Sequence, residues 1–178
     1  VADFQPSNGR VRVDWSGHFS SRHAGSAIKN VALSYAGMTA RGEIIISGAG
    51  LEGGAVDALS RAIRGAPGLP LYADLKPDLS AAVVAERLAR PRGKQSRSTF
   101  LRKSLSLYPA AIALMAETGA ADPKSVALPV MGFAGTERSI SSAGGVLWSE
   151  LDGELGLLRQ PGWHVAGEML DWDAPTGG

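Results

Sequence analysis

The chain has 178 residues, 44% of them apolar and 20% charged, a composition that suits a folded globular protein and excludes wholesale disorder. A formal net charge of +1 names no strongly charged partner, and no apolar run approaches the ~20 residues of a membrane span. The absence of cysteine excludes disulfides, thiolate metal sites and cysteine nucleophiles, and it fits a cytoplasmic bacterial protein. The opening Val1-Ala2-Asp3-Phe4-Gln5-Pro6 has neither the basic nor the apolar region of a signal peptide, and its lack of Met is expected of a fragment or a processed chain.

In chain order, β character comes first. Asn8-Gly9 signals a turn, and Arg10 to Trp15 alternates with period two, as a half-buried strand does. Ile28 to Tyr35 is a second predicted strand, ended by Ala36-Gly37. Thr39 to Ser47 is a third, and its Glu43-Ile44-Ile45-Ile46 run suits a buried sheet. A glycine-rich turn, Gly48 to Gly54, leads to a predicted helix over Ala55 to Arg64, with Val56, Leu59, Ala62 and Ile63 on one face. Leu69 to Leu75 reads as a further strand.

The middle is helical. Pro77-Asp78 opens a predicted helix through about Arg90, and Pro91-Arg92-Gly93 breaks it. Ser98 is placed to cap a second helix carrying Phe100, Leu101 and Leu105. Pro109 suits the first turn of a third, which ends near Thr118-Gly119. Strand character then returns in Leu128 to Met131, Ser139 to Ser141, Gly145 to Trp148 and Trp163 to Ala166. Strands, helices, strands in that order give an α+β fold: a small β-barrel-like subdomain interrupted by a helical subdomain, with a C-terminal β tail. The expected division is 1–75 with 126–138 for the barrel, 76–125 for the helices and 139–178 for the tail.

Several constellations could carry chemistry. Gly48-Ala49-Gly50-Leu51-Glu52-Gly53 has glycines at dinucleotide-binding spacing, but Glu52 would repel a pyrophosphate and no ribose-binding acid follows; a tight turn is the plainer reading. His18, His23 and His164 are the only histidines, too scattered for a metal set. Ser141 or Ser142 with His164 makes a hydrolase triad only on paper, since the G-x-S-x-G elbow is missing. Arg87, Arg90, Arg92, Lys94, Arg97, Arg102 and Lys103 form a basic run with few aromatics, read either as a solvated loop or as a phosphate contact.

The C-terminal stretch is the most specific: Trp163-His164-Val165-Ala166-Gly167-Glu168, then Leu170-Asp171, then Ala174-Pro175-Thr176-Gly177-Gly178. On local physics two readings stand level. One is a plain strand followed by a Gly/Pro turn. The other is a strand end offering a carboxylate to the hydroxyls of a cofactor, followed by a helix opening whose free N–H groups face phosphate or flavin.

This stretch closely resembles the C-terminal FAD motif of the two-dinucleotide-binding-domain flavoproteins. Within them the chain is similar to the aminoacetone-oxidase-like, BaiN-type NAD(P)/FAD-dependent oxidoreductases. Ile28-Lys29-Asn30-Val31, Gly42 to Ile46, Gly50 to Gly53 and Ala143 to Val146 extend the resemblance over nearly the whole chain. It implies a Rossmann-like FAD domain split by a barrel-like insertion that itself carries the helices, with residues 139–178 as part of the FAD domain. The implied cofactor-binding residues are Glu168 at the ribityl hydroxyls, Gly167 for close approach, Asp171 behind them, and Thr176, Gly177 and Gly178 at the helix opening.

The sequence also departs from the family. The N-terminal G-x-G-x-x-G is absent, and so is a continuation after Gly178. Ser47-Gly48-Ala49-Gly50 stands where many relatives have Thr-His-aromatic-Gly, and the acid at position 168 is Glu rather than Asp. The implied function is the substrate-side insert of an FAD-dependent oxidoreductase performing hydride or electron transfer, inactive alone, with NAD(P)H as a candidate reductant. Its implied partners are the remaining FAD-binding domain of the same polypeptide and a small-molecule substrate, with pairing to a second copy as an outlet for unpaired strands; membrane and nucleic acid are disfavoured. The alternative is a non-catalytic protein- or nucleic-acid-binding module using Arg87 to Lys103.

Overall fold

The computed structural model describes residues 1–135, 139 and 141–173. They fall into two compact units, Val1–Arg10 with Phe133–Gly178, and Val11–Gly132. The first unit opens with strand β1 (Ala2–Pro6), and the chain then passes into the second.

The second unit is built on β2 (Val11–Arg12), β3 (Ala27–Tyr35), β4 (Met38–Ser47), β5 (Gly50–Glu52), β6 (Leu71–Asp74) and β7 (Val126–Leu128). These make a six-stranded antiparallel sheet in the order β2-β5-β4-β3-β6-β7. The sheet curls. At its two edges Arg12 N donates to Gly132 O at 2.7 Å and Met131 N donates to Arg12 O at 3.0 Å, so the segment just after β7 comes round to β2. The longest pairing is the β3–β4 hairpin. Its turn residues Ala36 and Gly37 have φ of 47° and 81°, the two positive values that a tight turn matched to strand twist requires. Alternation along β3 and β4 buries Ile28, Val31, Leu33, Tyr35, Ile44 and Ile46 inside the curl. Helices α2 (Gly54–Asp57) and α3 (Ser60–Gly65) add Val56, Leu59 and Ile63 to that core, and the Tyr35 hydroxyl donates to Ala66 O at 2.6 Å.

Three helices lie between β6 and β7: α4 (Ala81–Ala89), α5 (Arg97–Leu105) and α6 (Pro109–Glu117). In this stretch Leu101, Leu105, Leu107, Leu114 and Met115 are buried. The barrel-like sheet interrupted by helices is therefore as expected. Local details differ. The strand at Arg10 to Trp15 is only β2, and beyond it Trp15 donates its indole N–H to Gly50 O at 3.1 Å. The segment around His18 and His23, read as irregular, is helix α1 (Gly17–His23), capped by Ser16. The helix over Ala55 to Arg64 breaks in two at Ala58 and Leu59. The helix expected from Pro77-Asp78 starts later, behind the Ser80 cap, and Ser96 rather than Ser98 caps α5.

The first unit resumes with β8 (Ser142–Gly145) and β9 (Trp172–Asp173), which join β1 in a three-stranded antiparallel sheet ordered β1-β8-β9. Short 3₁₀ turns at Trp148–Glu150 and Gly167–Met169 punctuate the chain between β8 and β9. The strand expected over Trp163 to Ala166 is replaced by a single bridge between Gly156 and His164. Gly162 before it, at φ 85°, turns the chain and limits pairing there. Among the described residues, no helix is long and apolar enough to cross a membrane.

Candidate functional site

Three of the residues singled out in the C-terminal stretch lie together on one short segment, and β8 holds it. Gly144 and Gly145 have no room for a side chain. An added Cβ would stand 2.2 Å from Asp3 O at Gly144 and 2.5 Å from Met169 O at Gly145. These glycines let β8 lie directly against β1 on one side and against residues 169–170 on the other. Two backbone bonds then clamp the segment: Val146 N donates to Met169 O at 2.7 Å, and Asp171 N donates to Val146 O at 2.8 Å.

Gly167 opens the 3₁₀ turn at φ 65°, a left-handed value that suits glycine, and an added Cβ there would meet nothing within 4 Å. Glu168 follows, exposed, and Asp171 is half-buried. Two indoles fix this segment from outside. Trp172 Nε1 donates to Gly167 O at 3.1 Å, and Trp148 Nε1 donates to Asp171 O at 2.9 Å. Sequence reading gave no role to either tryptophan. Their signal was the unusual density of Trp near the acidic end.

The segment is thus held through its backbone, while the Glu168 and Asp171 carboxylates take no hydrogen bond among the described residues. They are acceptors left open, beside a glycine with open space over its Cα. That arrangement suits a ligand rich in hydroxyl groups, which need acceptors and close approach. It offers no cation for a phosphate. Thr176, Gly177 and Gly178 lie outside the described residues.

The other constellations do other work. At Gly50 an added Cβ would stand 1.8 Å from Val11 O, and at Gly53 2.8 Å from Glu43 O. The glycine string therefore serves close packing of β5 on its neighbours and the turn into α2, not a phosphate cradle. His23 stacks on Phe19, with ring centroids 5.1 Å apart, while His164 sits in its bridge to Gly156. Among the described residues no three His, Asp or Glu side chains gather as a metal set. Ser141 is buried where β1 meets the start of β8, with its N–H on Asn8 Oδ1, and no hydrogen bond joins Ser141 or Ser142 to His164. In the basic run, Arg90 pairs with Glu86 at 3.2 Å and Arg97 donates to Ala120 O at 2.7 Å.

One carboxylate in the first unit has a perturbed titration. Asp152 accepts the backbone N–H groups of Gly156 and Glu154, which hold its pKa below the ordinary value. It closes its own loop, from Asp152 to Gly156.

The family model described as HI0933-like protein barrel and H2TH domain covers residues 5–127, more than half of the chain. The segment from Gly167 onward lies C-terminal to the matched residues. No curated protein matches the chain.

Proposed function

The chain belongs to the family of HI0933-like barrel and H2TH domains, a family of the FAD-dependent oxidoreductase type, and from that premise we propose that it is the insert region, with part of the C-terminal cofactor-binding segment, of a flavoprotein oxidoreductase. The observation that carries the reading is the family match itself, which spans the curled sheet and the helices set into it. In support, the open ground over Gly167 and the uncommitted carboxylates of Glu168 and Asp171 suit the sugar-alcohol portion of FAD.

On this reading Glu168 accepts hydrogen bonds from ribityl hydroxyls, Gly167 lets the cofactor approach the backbone, and Asp171 stands behind them. Trp148 and Trp172 keep the segment in place. Bound FAD would supply hydride or electron transfer, and the protein supplies position and electrostatics. Cofactor contacts by Thr176, Gly177 and Gly178 belong to the same proposal, as do the remaining FAD-binding domain as partner and NAD(P)H as reductant.

The test is an FAD titration of this chain, followed by flavin fluorescence, with and without the adjoining FAD domain supplied in trans. Binding only in the reconstituted protein supports the reading. In the intact enzyme, Glu168→Ala should weaken FAD retention about tenfold or more, the scale of a lost hydrogen bond to a charged group. Unchanged affinity would remove Glu168 from the site. A binding module based on the basic run draws less support, because Arg90 and Arg97 are already engaged. It requires salt-sensitive binding that falls when Arg92, Lys94 and Arg97 are neutralised.

A further inference from the structure

We propose that the groove between α5 and α6 binds a small organic carboxylate with an apolar body. The groove lies wholly within the second unit, is open to solvent along one side, and offers about 330 Å³, at the lower end of the range of small-molecule sites. Its α5 wall is polar, made by Ser98, Thr99 and Arg102. Its α6 wall, chiefly Ile112, Ala113 and Ala116, offers no polar side chain.

The spacing on α5 matters. Ser98 and Arg102 are four residues apart, so they share one face of the helix and converge on the same space. Arg102 makes no hydrogen bond or ion pair among the described residues, in contrast to Arg97 on the same helix. Its planar fork of donors is free for a carboxylate, which it can take through two parallel hydrogen bonds. The Ser98 hydroxyl is likewise uncommitted, whereas Thr99 accepts from Ser96 at 3.0 Å. No carboxylate lines the groove, so nothing within it neutralises the guanidinium.

The two walls together define the ligand. A neutral apolar compound would cover Ile112 and the alanines but desolvate Arg102 without pairing it, which is unfavourable. A bare inorganic anion would pair Arg102 and leave the apolar wall wet. A carboxylate on an alkyl or aryl body satisfies both. A nucleic-acid strand is a different kind of partner, served by the exposed Arg92 and Lys94 and indifferent to the α6 wall.

The experiment titrates the full 178-residue chain with phenylbutyrate, phenylbutanol and phenylbutylamine, three probes sharing one body, and follows amide NMR shifts. Phenylbutyrate should give saturable shifts confined to α5 and α6, with the alcohol about tenfold weaker and the amine silent. Arg102→Gln should weaken phenylbutyrate about tenfold, and Ala113→Leu should fill the groove and abolish binding. If Ala113→Leu disturbs the fold, Ala116→Leu at the exposed rim replaces it. Equal binding of the three probes, binding unaltered in Arg102→Gln, or shifts without saturation would overturn the proposal. So would binding of inorganic phosphate or a single-stranded oligonucleotide that survives Ala113→Leu and falls when Arg92 and Lys94 are neutralised.

Discussion

Gly50 and Gly54 sit in the same glycine-rich stretch and differ in what surrounds them. A methyl group at Gly50 would overlap the Val11 carbonyl, whereas one at Gly54 meets nothing within 4 Å. Gly50→Ala should therefore destabilise the chain by about 3 kcal/mol or more, because β2 and β5 must part to admit it. Gly54→Ala should stay within about 0.5 kcal/mol of the parent. Urea denaturation of the two variants measures both. The sequence showed that glycines were needed here but not against what, since Val11 approaches from a strand far away along the chain. The same limit applied at the Gly167 segment. Gly167, Glu168 and Asp171 stood out in the sequence, while Trp148 and Trp172, which hold the Asp171 and Gly167 carbonyls respectively, became visible only through the fold.

Charge at single residues makes a second test. Asp78 accepts from Asn30 Nδ2 and from the Arg41 guanidinium, and these bonds hold its carboxyl below the ordinary value of 3.8. A depressed carboxylate contributes stability above its unfolded pKa and loses it as pH falls through the folded one. The stability of the chain should therefore drop more steeply below about pH 4 than that of Asp78→Asn. Parallel acid titrations followed by far-UV circular dichroism check this, and identical acid limbs would refute it. The pair is exposed, so added salt should shrink the difference.

At the scale of elements, Lys124 fastens the helical insertion at its base. Its ammonium pairs with Asp74 at 2.6 Å and donates to Lys76 O at 2.8 Å and Leu79 O at 2.6 Å. One side chain thereby joins the segment leading out of the helices to the segment leading in. Lys124→Met should cost about 2–4 kcal/mol, because Asp74 and two carbonyls lose a common donor. Thermal unfolding of the variant is the measurement, and a loss below half a kcal/mol would show that water replaces the lysine. Element types were readable wherever periodicity was long: β3, β4 and α6 lie close to their expected bounds. Short elements were not. β5 is three residues inside a glycine turn, and α1 carries too few apolar residues to show a stripe. Ser96 outcompeted Ser98 as the α5 cap because its hydroxyl accepts the Thr99 N–H, a choice that propensity alone does not make.

At the scale of the whole molecule, the ends of the second unit meet each other, since Arg12 exchanges backbone hydrogen bonds with Met131 and Gly132. A segment whose ends are joined in its own sheet closes its core without help from flanking chain. Residues 11–132 expressed alone should fold cooperatively, with a dispersed amide NMR spectrum and a single urea transition. A collapsed spectrum would show that this unit depends on the residues around it.

The tryptophans divide the same way as the chain. Trp15 is the single indole of residues 11–132, half-buried against Phe19 at a ring distance of 5.0 Å. Trp148, Trp163 and Trp172 belong to the other unit and stand open to solvent. Light emitted by the protein is therefore sorted before any label is added: a blue-shifted component reports the curled sheet, and a red-shifted one reports the strands around Gly167. A yellow chromophore settling beside Gly167 and Glu168 would dim the red component by energy transfer from Trp148 and Trp172.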